Sequence, residues 1–265
     1  MENMPVVLTN IEAGVLSITL NRPEYLNSFN EELHQQLSKA MDIAEQDESV
    51  RCVLLTGAGR GFCSGQDLND RNTVISDGGI PDLGKSVERY YNPLIRRMTS
   101  LPKPIIGAVN GVAAGAGVSL ALACDIVIAS RTASFIQAFC RIGLTLDSGG
   151  SWLLPYKIGH ARAMGMALLG EKISAEQALA WGMIWQVVEP EELENKTREV
   201  AQHLAAQPTV ALGCIKQSTY AAASNTLEQQ LDLERDLQRQ CGHSEDFREG
   251  VSAFIEKRQP KFQGK

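Results

Sequence analysis

Two glycine-rich turns, each directly after a short apolar run, restrict the possible folds of this chain more than any other feature. Residues 51–56 (RCVLLT) and 105–109 (IIGAV) are apolar runs of strand length, and GAGRGFCSGQDL and NGVAAGAG follow them. Residues 30–45 carry apolar side chains at helical spacing, and Asn30 is suited to cap that helix. Strands that alternate with helices predict an α/β fold with a parallel sheet covered on both faces. Both turns should then lie at the carboxyl edge, where such sheets bind ligands.

The other segments extend this pattern. Residues 6–12 and 15–21 predict a hairpin, residues 125–130 predict a further strand, and residues 69–83 predict a surface loop. From residue 148 onward the pattern is helical, with residues 185–188 as the one predicted strand. The predicted helices beyond residue 80 are 86–100, with an interruption near Pro93, 159–169, 174–181, 190–206, 208–220, 227–240 and 244–257.

The composition excludes several classes of protein. With 265 residues, 44% hydrophobic and 21% charged, the chain has the balance of a globular protein. A net charge of −6 argues against nucleic acid as a partner, because phosphate binding needs a basic face. No apolar run approaches the roughly 18 residues of a membrane span, and MENMPVVL lacks the pattern of a signal peptide. We therefore expect a cytoplasmic protein that binds neither nucleic acid nor a membrane.

Neither a metal site nor a nucleotide-binding loop is indicated. The six cysteines contain no CxxC pair, which suggests reduced packing residues. The four histidines have no metal-ligand spacing, and we expect them at the surface or as caps: His34, His160, His203 and His243. The loop at residues 57–68 has neither the glycine spacing of a dinucleotide fingerprint nor the Gly-Lys-Ser/Thr of a Walker loop.

Residues 110–152 contain the strongest signal of chemistry. A helix entered through Gly115-Ala116-Gly117 exposes backbone N–H groups with little side chain in the way, so that a carbonyl oxygen can approach them. This is the chemistry of an oxyanion hole. Asp147 lies between apolar residues and the flexible Ser148-Gly149-Gly150, where a partly desolvated carboxylate can act as a base. The alternative is that Asp147 caps the helix that follows.

The segments GAGRGFCSGQDL, KPIIGAVNGVAAGAG and CDIVIAS resemble the crotonase superfamily of enoyl-CoA hydratases and isomerases, and the resemblance covers nearly the whole chain. It implies a crotonase-like α/β fold in which repeated ββα units form a spiral sheet core over residues 1–200. A C-terminal helical trimerisation region would follow over residues 201–265. The resemblance also implies homotrimers, often paired as hexamers.

The resemblance assigns the backbone N–H groups of Gln66 and Ala116 to the oxyanion hole for a thioester carbonyl. Hydratases of the superfamily use two glutamates, and this chain carries Ser119 and Phe139 at those positions. Without two carboxylates the usual acid–base pair for adding water is missing. Asp147 stands where several isomerases of the superfamily have an acid, which implies a single proton shuttle.

The implied activity is an acyl-CoA isomerase that converts ring-1,2-epoxyphenylacetyl-CoA to the oxepin thioester in aerobic phenylacetate catabolism. The same shuttle would move the double bond of a 3-enoyl-CoA to position 2. Two alternatives stay open. One is a hydrolytic or dehalogenase-like enzyme that uses Asp147 as a nucleophile, and the other is a non-catalytic CoA-binding subunit.

Contacts with the substrate follow from the same resemblance. No separate cofactor is implied, because CoA is part of the substrate. The residues expected to border CoA are Arg22, Leu26, Ser64, Gly65, Asp67 and Leu68. The residues expected to line the acyl pocket are Tyr90, Asn92, Gly115, Phe139 and Trp152.

Overall fold

A computed structural model describes residues 4–69 and 82–265 of the chain. The strands are β1 (Val7–Glu12), β2 (Val15–Leu20), β3 (Cys52–Gly57), β4 (Gly61–Cys63), β5 (Ile105–Val109), β6 (Val112–Ala114), β7 (Ile126–Ser130), β8 (Ser134–Ile136), β9 (Lys172–Ser174) and β10 (Gln186–Val188). The α-helices are α1 (Glu31–Gln46), α2 (Leu83–Ser86), α3 (Asn92–Ser100), α4 (Ala116–Leu122), α5 (Gly150–Ile158), α6 (His160–Leu169), α7 (Ala175–Ala180), α8 (Leu193–Ala205), α9 (Thr209–Ala221), α10 (Leu227–Gly242) and α11 (Glu245–Glu256). Short 3-10 helices cover Pro23–Tyr25, Ala138–Ile142 and Pro190–Glu192.

A six-stranded sheet with the order β1-β2-β3-β5-β7-β10 forms the centre of the molecule. The predicted hairpin of β1 and β2 is antiparallel, and the remaining neighbours pair in parallel. Helix α1 begins where predicted, since the side chain of Asn30 accepts a hydrogen bond from the Leu33 N–H. Its apolar face, which includes Leu37, joins the main core with β2 and β3. The predicted α/β class is therefore confirmed.

A second, four-stranded sheet has the order β4-β6-β8-β9, and each strand has only three residues. Three of these strands lie in segments for which the sequence predicts turns or loops. The expectation of a single strand after residue 148 is wrong, because β9 pairs with β8 there. Three residues are too few to show a period-2 pattern, so these strands carry no sequence signal.

The helix predicted over residues 86–100 begins earlier, at α2, where the side chain of Asp82 accepts from the Lys85 N–H. It continues into α3 through a π-helical turn at Val87–Tyr91. The irregularity therefore precedes Pro93. Of the loop predicted over residues 69–83, residues 70–81 lie outside the described part of the chain.

Helix α8 packs against one face of the large sheet. Ala201 and Ala205 of α8 lie on Val15, Cys52 and Ile106. The predicted division between residues 200 and 201 falls within α8, and it stays a prediction. Across residues 4–69 and 82–265, no helix has both the length and the apolar character that a membrane span requires.

A buried ion pair connects α9 to the start of β7. The Lys216 ammonium lies 2.9 Å from the Asp125 carboxylate and donates to the Met98 carbonyl at 2.7 Å. Burial raises the pKa of Asp125, and the nearby Lys216 partly offsets that effect. The charged form of the buried Asp125 carboxylate therefore depends on the Lys216 ammonium.

We expect Lys216→Met to lower the free energy of unfolding by about 3–5 kcal/mol, because a buried carboxylate is left without its cation. Urea unfolding measures the change. The matched control is Lys196→Met, whose exposed ammonium pairs with Glu199 on the same helix, and its effect should stay within about 0.5 kcal/mol. Equal effects of the two variants would contradict the prediction.

Candidate functional site

The two glycine-rich turns meet at one edge of the small sheet. Strands β4 and β6 pair in parallel with Cys63 opposite Ala113, so both turns leave the sheet on the same side. A Cβ atom placed on Gly65 would lie 2.8 Å from the Ala114 oxygen and 3.4 Å from the Ala116 nitrogen. The structure thus brings the predicted residues Gln66 and Ala116 together, although fifty residues separate them in the sequence.

Both turns adopt conformations that favour glycine. Gly65 has φ +89°, and Gly115 has φ +53° and ψ −123°, a region in which a side chain is strained. The Gly115 N–H donates to the Ile136 carbonyl at 2.9 Å, which joins the second turn to β8. Helix α4 begins directly afterwards at Ala116, where the first N–H groups have no acceptor within the helix.

The Gln66 peptide is held on both sides. The Phe29 N–H donates to the Gly65 carbonyl at 2.7 Å, and the Asp67 N–H donates to the Phe29 carbonyl at 2.9 Å. The Tyr91 hydroxyl donates to Gln66 Oε1 at 2.7 Å, so the π-helical turn also fixes this residue. This contact was not predicted from the sequence, since nothing in the sequence links the two positions.

Asp147 lies in a turn that packs against α4. Its carbonyl oxygen accepts from the Ser119 hydroxyl at 3.1 Å and from the Gly150 N–H at 2.9 Å. The Ser148 hydroxyl donates to Asp147 Oδ1 at 2.9 Å. Helix α5 follows, and its N-cap is Gly149 in the left-handed conformation. The alternative in which Asp147 caps this helix is therefore wrong.

The two positions that the resemblance compares with the hydratase glutamates, Ser119 and Phe139, are buried and hold no carboxylate. Ser119 is fully buried in α4, and Phe139 is buried in the 3-10 helix that follows β8. The Phe139 ring lies 3.7 Å from the point that a Cβ on Gly115 would occupy. These two predicted acyl-pocket residues, Gly115 and Phe139, are therefore neighbours.

Two other predicted acyl-pocket residues lie in or directly after the π-helical turn. The Tyr90 hydroxyl donates to Glu31 at 2.7 Å, and this hydrogen bond raises the pKa of Tyr90. The Asn92 amide donates to Glu88 at 2.7 Å. The Tyr90 hydroxyl thus binds a carboxylate of α1, and the Asn92 amide binds one within the π-helical turn.

The fifth predicted acyl-pocket residue, Trp152, is 46% exposed. Its ring stacks on Tyr156 of α5 and Tyr220 of α9, with centroid distances of 5.7 and 6.3 Å. Its indole therefore faces α9, and these contacts do not join it to Gly115.

The expectation that all four histidines lie at the surface or act as caps is wrong for His34. This side chain is buried and stacks on Phe29 at 4.6 Å and on Tyr90 at 4.9 Å. An amphipathic helix pattern does not show which aromatic rings will cover a histidine. Across the described ranges, 4–69 and 82–265, no cluster of three His, Cys, Asp or Glu side chains is arranged to hold a metal.

Most residues predicted to border CoA surround the first turn. The Arg22 guanidinium pairs with the Asp67 carboxylate at 3.0 Å, and both side chains are nearly buried. The Ser64 N–H donates to the carbonyl of Leu26, whose φ of +50° places it in the left-handed region. Leu68 is 49% exposed beside them. The strip is thus one connected surface next to Gln66.

Comparisons with known proteins agree with this geometry. Residues 10–265 match the family model described as Enoyl-CoA hydratase/isomerase. The chain is 62% identical to the 1,2-epoxyphenylacetyl-CoA isomerase of Escherichia coli, over 99% of this chain and 100% of that protein. It is 38% identical to the trans-2-decenoyl-[acyl-carrier-protein] isomerase of Streptococcus mutans, over 98% of both chains. The solved enoyl-CoA hydratase of Bacillus anthracis superposes with a TM-score of 0.92 at 31% identity, covering 98% of this chain and 100% of that one.

Proposed function

The chain belongs to the enoyl-CoA hydratase/isomerase family, and on that premise we propose that it is an acyl-CoA isomerase. Its substrate is ring-1,2-epoxyphenylacetyl-CoA, which it converts to the oxepin thioester, and it also moves the double bond of 3-enoyl-CoA to position 2. The similarity to two isomerases supports this proposal. The observation that carries it is the pairing of two adjacent glycine turns with Asp147, while Ser119 and Phe139 stand where a hydratase needs carboxylates.

The mechanism follows from these positions. The backbone N–H groups of Gln66 and Ala116 receive the thioester oxygen and polarise the carbonyl. Asp147 removes a proton from the carbon next to the thioester carbonyl. The electron pair of the broken C–H bond then forms the enolate. In the ring epoxide this pair continues into the ring, and the bond between the two epoxide carbons opens. Asp147 then returns the proton to a ring carbon, so that no atom is gained or lost.

No observation favours the two alternative functions. A nucleophilic Asp147 would need a base to deliver water, usually a histidine. His34 is enclosed by aromatic rings, and His160, His203 and His243 lie in or beside α6, α8 and α10. A non-catalytic subunit would have no use for an acid beside two glycine turns.

Binding of CoA is assigned to the strip around the first turn. The Arg22–Asp67 ion pair fixes the wall next to Gln66, and Ser64, Gly65, Leu26 and Leu68 complete it. Gly115 and Phe139 form the part of the acyl pocket nearest to the thioester. CoA arrives as part of the substrate, and the reaction needs no separate cofactor because the proton returns to the same molecule.

We assign the enzyme to the cytoplasm as a homotrimer or a pair of trimers. Large apolar side chains of helices α6 and α11 are more than 60% exposed in the single chain, namely Leu168, Leu169, Phe254 and Ile255. Burial of such side chains favours association. Light scattering should give a mass of three or six chains, and a monomer at micromolar concentration would contradict this assignment.

The proposed function is tested with the unmodified enzyme in D2O. A 3-enoyl-CoA such as a dehydroadipyl thioester should become the 2-enoyl isomer and take up deuterium, as measured by mass spectrometry. The ring epoxide of phenylacetyl-CoA should give the oxepin thioester. Formation of a 3-hydroxyacyl-CoA would indicate a hydratase, and release of free CoA thiol would indicate hydrolysis; either as the main product would refute the proposal.

A further inference from the structure

The side-chain amide of Gln137 needs an explanation that the proposed mechanism does not supply. The residue is fully buried, and neither its Nε2 nor its Oε1 has a hydrogen-bond partner among residues 4–69 and 82–265. Leaving a buried polar group unpaired costs about 1–3 kcal/mol. Such groups in native proteins are nearly always paired, by water if not by protein.

Gln137 lies close to the turn that carries Asp147. It is the residue between β8 and the 3-10 helix of Phe139. A Cβ placed on Gly150 would lie 2.8 Å from the Ser119 hydroxyl oxygen and 3.5 Å from the Gln137 amide nitrogen. The hydroxyl oxygen and the amide nitrogen therefore lie within 3.5 Å of one point beside Gly150 but share no hydrogen bond, so a bridging water is the contact that can join them.

The chemistry of the two groups is complementary. The Ser119 hydroxyl uses its proton to donate to the Asp147 carbonyl, which leaves its oxygen lone pairs as acceptors. The Gln137 amide offers two N–H donors and one carbonyl acceptor. Hydrogen bonds arranged in a chain polarise one another, so a donor to Ser119 strengthens the bond from Ser119 to Asp147.

We propose that Gln137 and Ser119 are positioning residues for Asp147. One internal water accepts from the Gln137 amide and donates to the Ser119 hydroxyl, and Ser119 in turn holds the Asp147 carbonyl. This chain fixes the backbone of the turn from behind. The Asp147 carboxylate is thereby held at a fixed distance from the Ala116 N–H. The effect on catalysis rests on the proposed function, whereas the effect on the turn does not.

Ser119→Ala and Gln137→Met test this chain, because each removes the polar group with little change in volume. A misplaced catalytic group loses rate rather than binding. We expect each variant to lower kcat for double-bond migration about tenfold, with KM within about twofold of the unmodified enzyme. In the double variant the loss should be close to that of one single variant, because residues of one network are not additive.

Ser130→Ala is the matched control. Ser130 is also a buried serine, but it lies in β7 and bonds to Thr132, so this variant should keep its kcat. Full kcat in Gln137→Met, or losses that multiply in the double variant, would overturn the proposal. Ser119→Ala removes a single oxygen atom and keeps the test available if Gln137→Met does not fold.

Hydrogen exchange gives a readout that does not depend on the reaction. The Gly150 N–H, which bonds to the Asp147 carbonyl, should exchange at least about fivefold faster in both variants, with amides of α1 unchanged. If the unmodified enzyme shows no isomerisation but the turn loosens, the proposed function fails and the positioning chain stands. If the turn exchanges at its original rate, the positioning chain fails whatever the activity.

Discussion

Asp147→Asn should lower kcat for double-bond migration by about 10²–10⁴-fold, the usual contribution of a general base. Asparagine has nearly the same size and keeps the backbone carbonyl that accepts from Ser119 and Gly150. The amide, however, takes up no proton at neutral pH. Binding should persist, since the proposed oxyanion donors, the N–H groups of Gln66 and Ala116, are unchanged, and KM should change less than about threefold.

Stopped assays in D2O measure both the migration and the deuterium uptake for this variant. The control is Asp236→Asn, which alters an exposed carboxylate paired with Arg235 and Arg239 on α10 and should leave kcat unchanged. Retention of deuterium uptake by Asp147→Asn would remove Asp147 from the mechanism. A covalent acyl–Asp147 adduct in the unmodified enzyme would point to the nucleophilic alternative.

Gly117→Ala should disrupt the oxyanion turns and lower stability together. A Cβ on Gly117 would overlap the carbonyl group of Cys63, at the end of β4. Since the Cys63 carbonyl is packed backbone, helix α4 and strand β4 must move apart. Overpacking of this kind costs about 1–3 kcal/mol or more. Displacement of the neighbouring Ala116 N–H should lower kcat by about 10²–10³-fold, the effect of losing one oxyanion donor.

Gly165→Ala is the control for this substitution. It also adds a methyl group to a helical glycine, but nothing lies within 4 Å of the added atom. Its expected effect is a small gain in stability, up to about 1 kcal/mol, with kcat unchanged. Thermal unfolding and initial rates should therefore distinguish Gly117→Ala from Gly165→Ala. A Gly117→Ala enzyme with normal rates would show that the two turns do not need this close contact.

The parts of the fold that could be predicted carry local signals. Asn30 accepts from the Leu33 N–H at the first turn of α1, as the sequence predicts, and Ser244 makes the same kind of cap where the predicted helix at residue 244 begins. A cap depends only on neighbouring residues. The period-3.6 apolar stripe of α1 and the apolar runs of five to six residues in β3 and β5 are likewise local signals. Strands β4, β6, β8 and β9 exist only because distant segments pair, which no window of the sequence shows.

The site divides in the same way. The glycine turns and Asp147 are visible in the sequence, because clustered glycines and a single acid among apolar and small residues are distinctive. Their supports are not visible. Tyr91 reaches Gln66 from the π-helical turn, and Gln137 lies beside Ser119, although nothing in either segment differs from ordinary packing residues. Such contacts depend on the arrangement of two sheets rather than on local propensity.

The small sheet has a consequence for how this scaffold acquires new reactions. The turns after β4 and β6 and the 3-10 helix after β8 leave one edge together, whereas the strands themselves join the main core, with Phe62 of β4 and Phe135 of β8 in the same cluster as the large sheet. Phe139, on the 3-10 helix at this edge, lies outside that cluster, so it can be exchanged with little demand on the main core. Evolution can change the catalytic repertoire at one edge while the architecture is inherited intact, and hydratases and isomerases can diverge by a few substitutions.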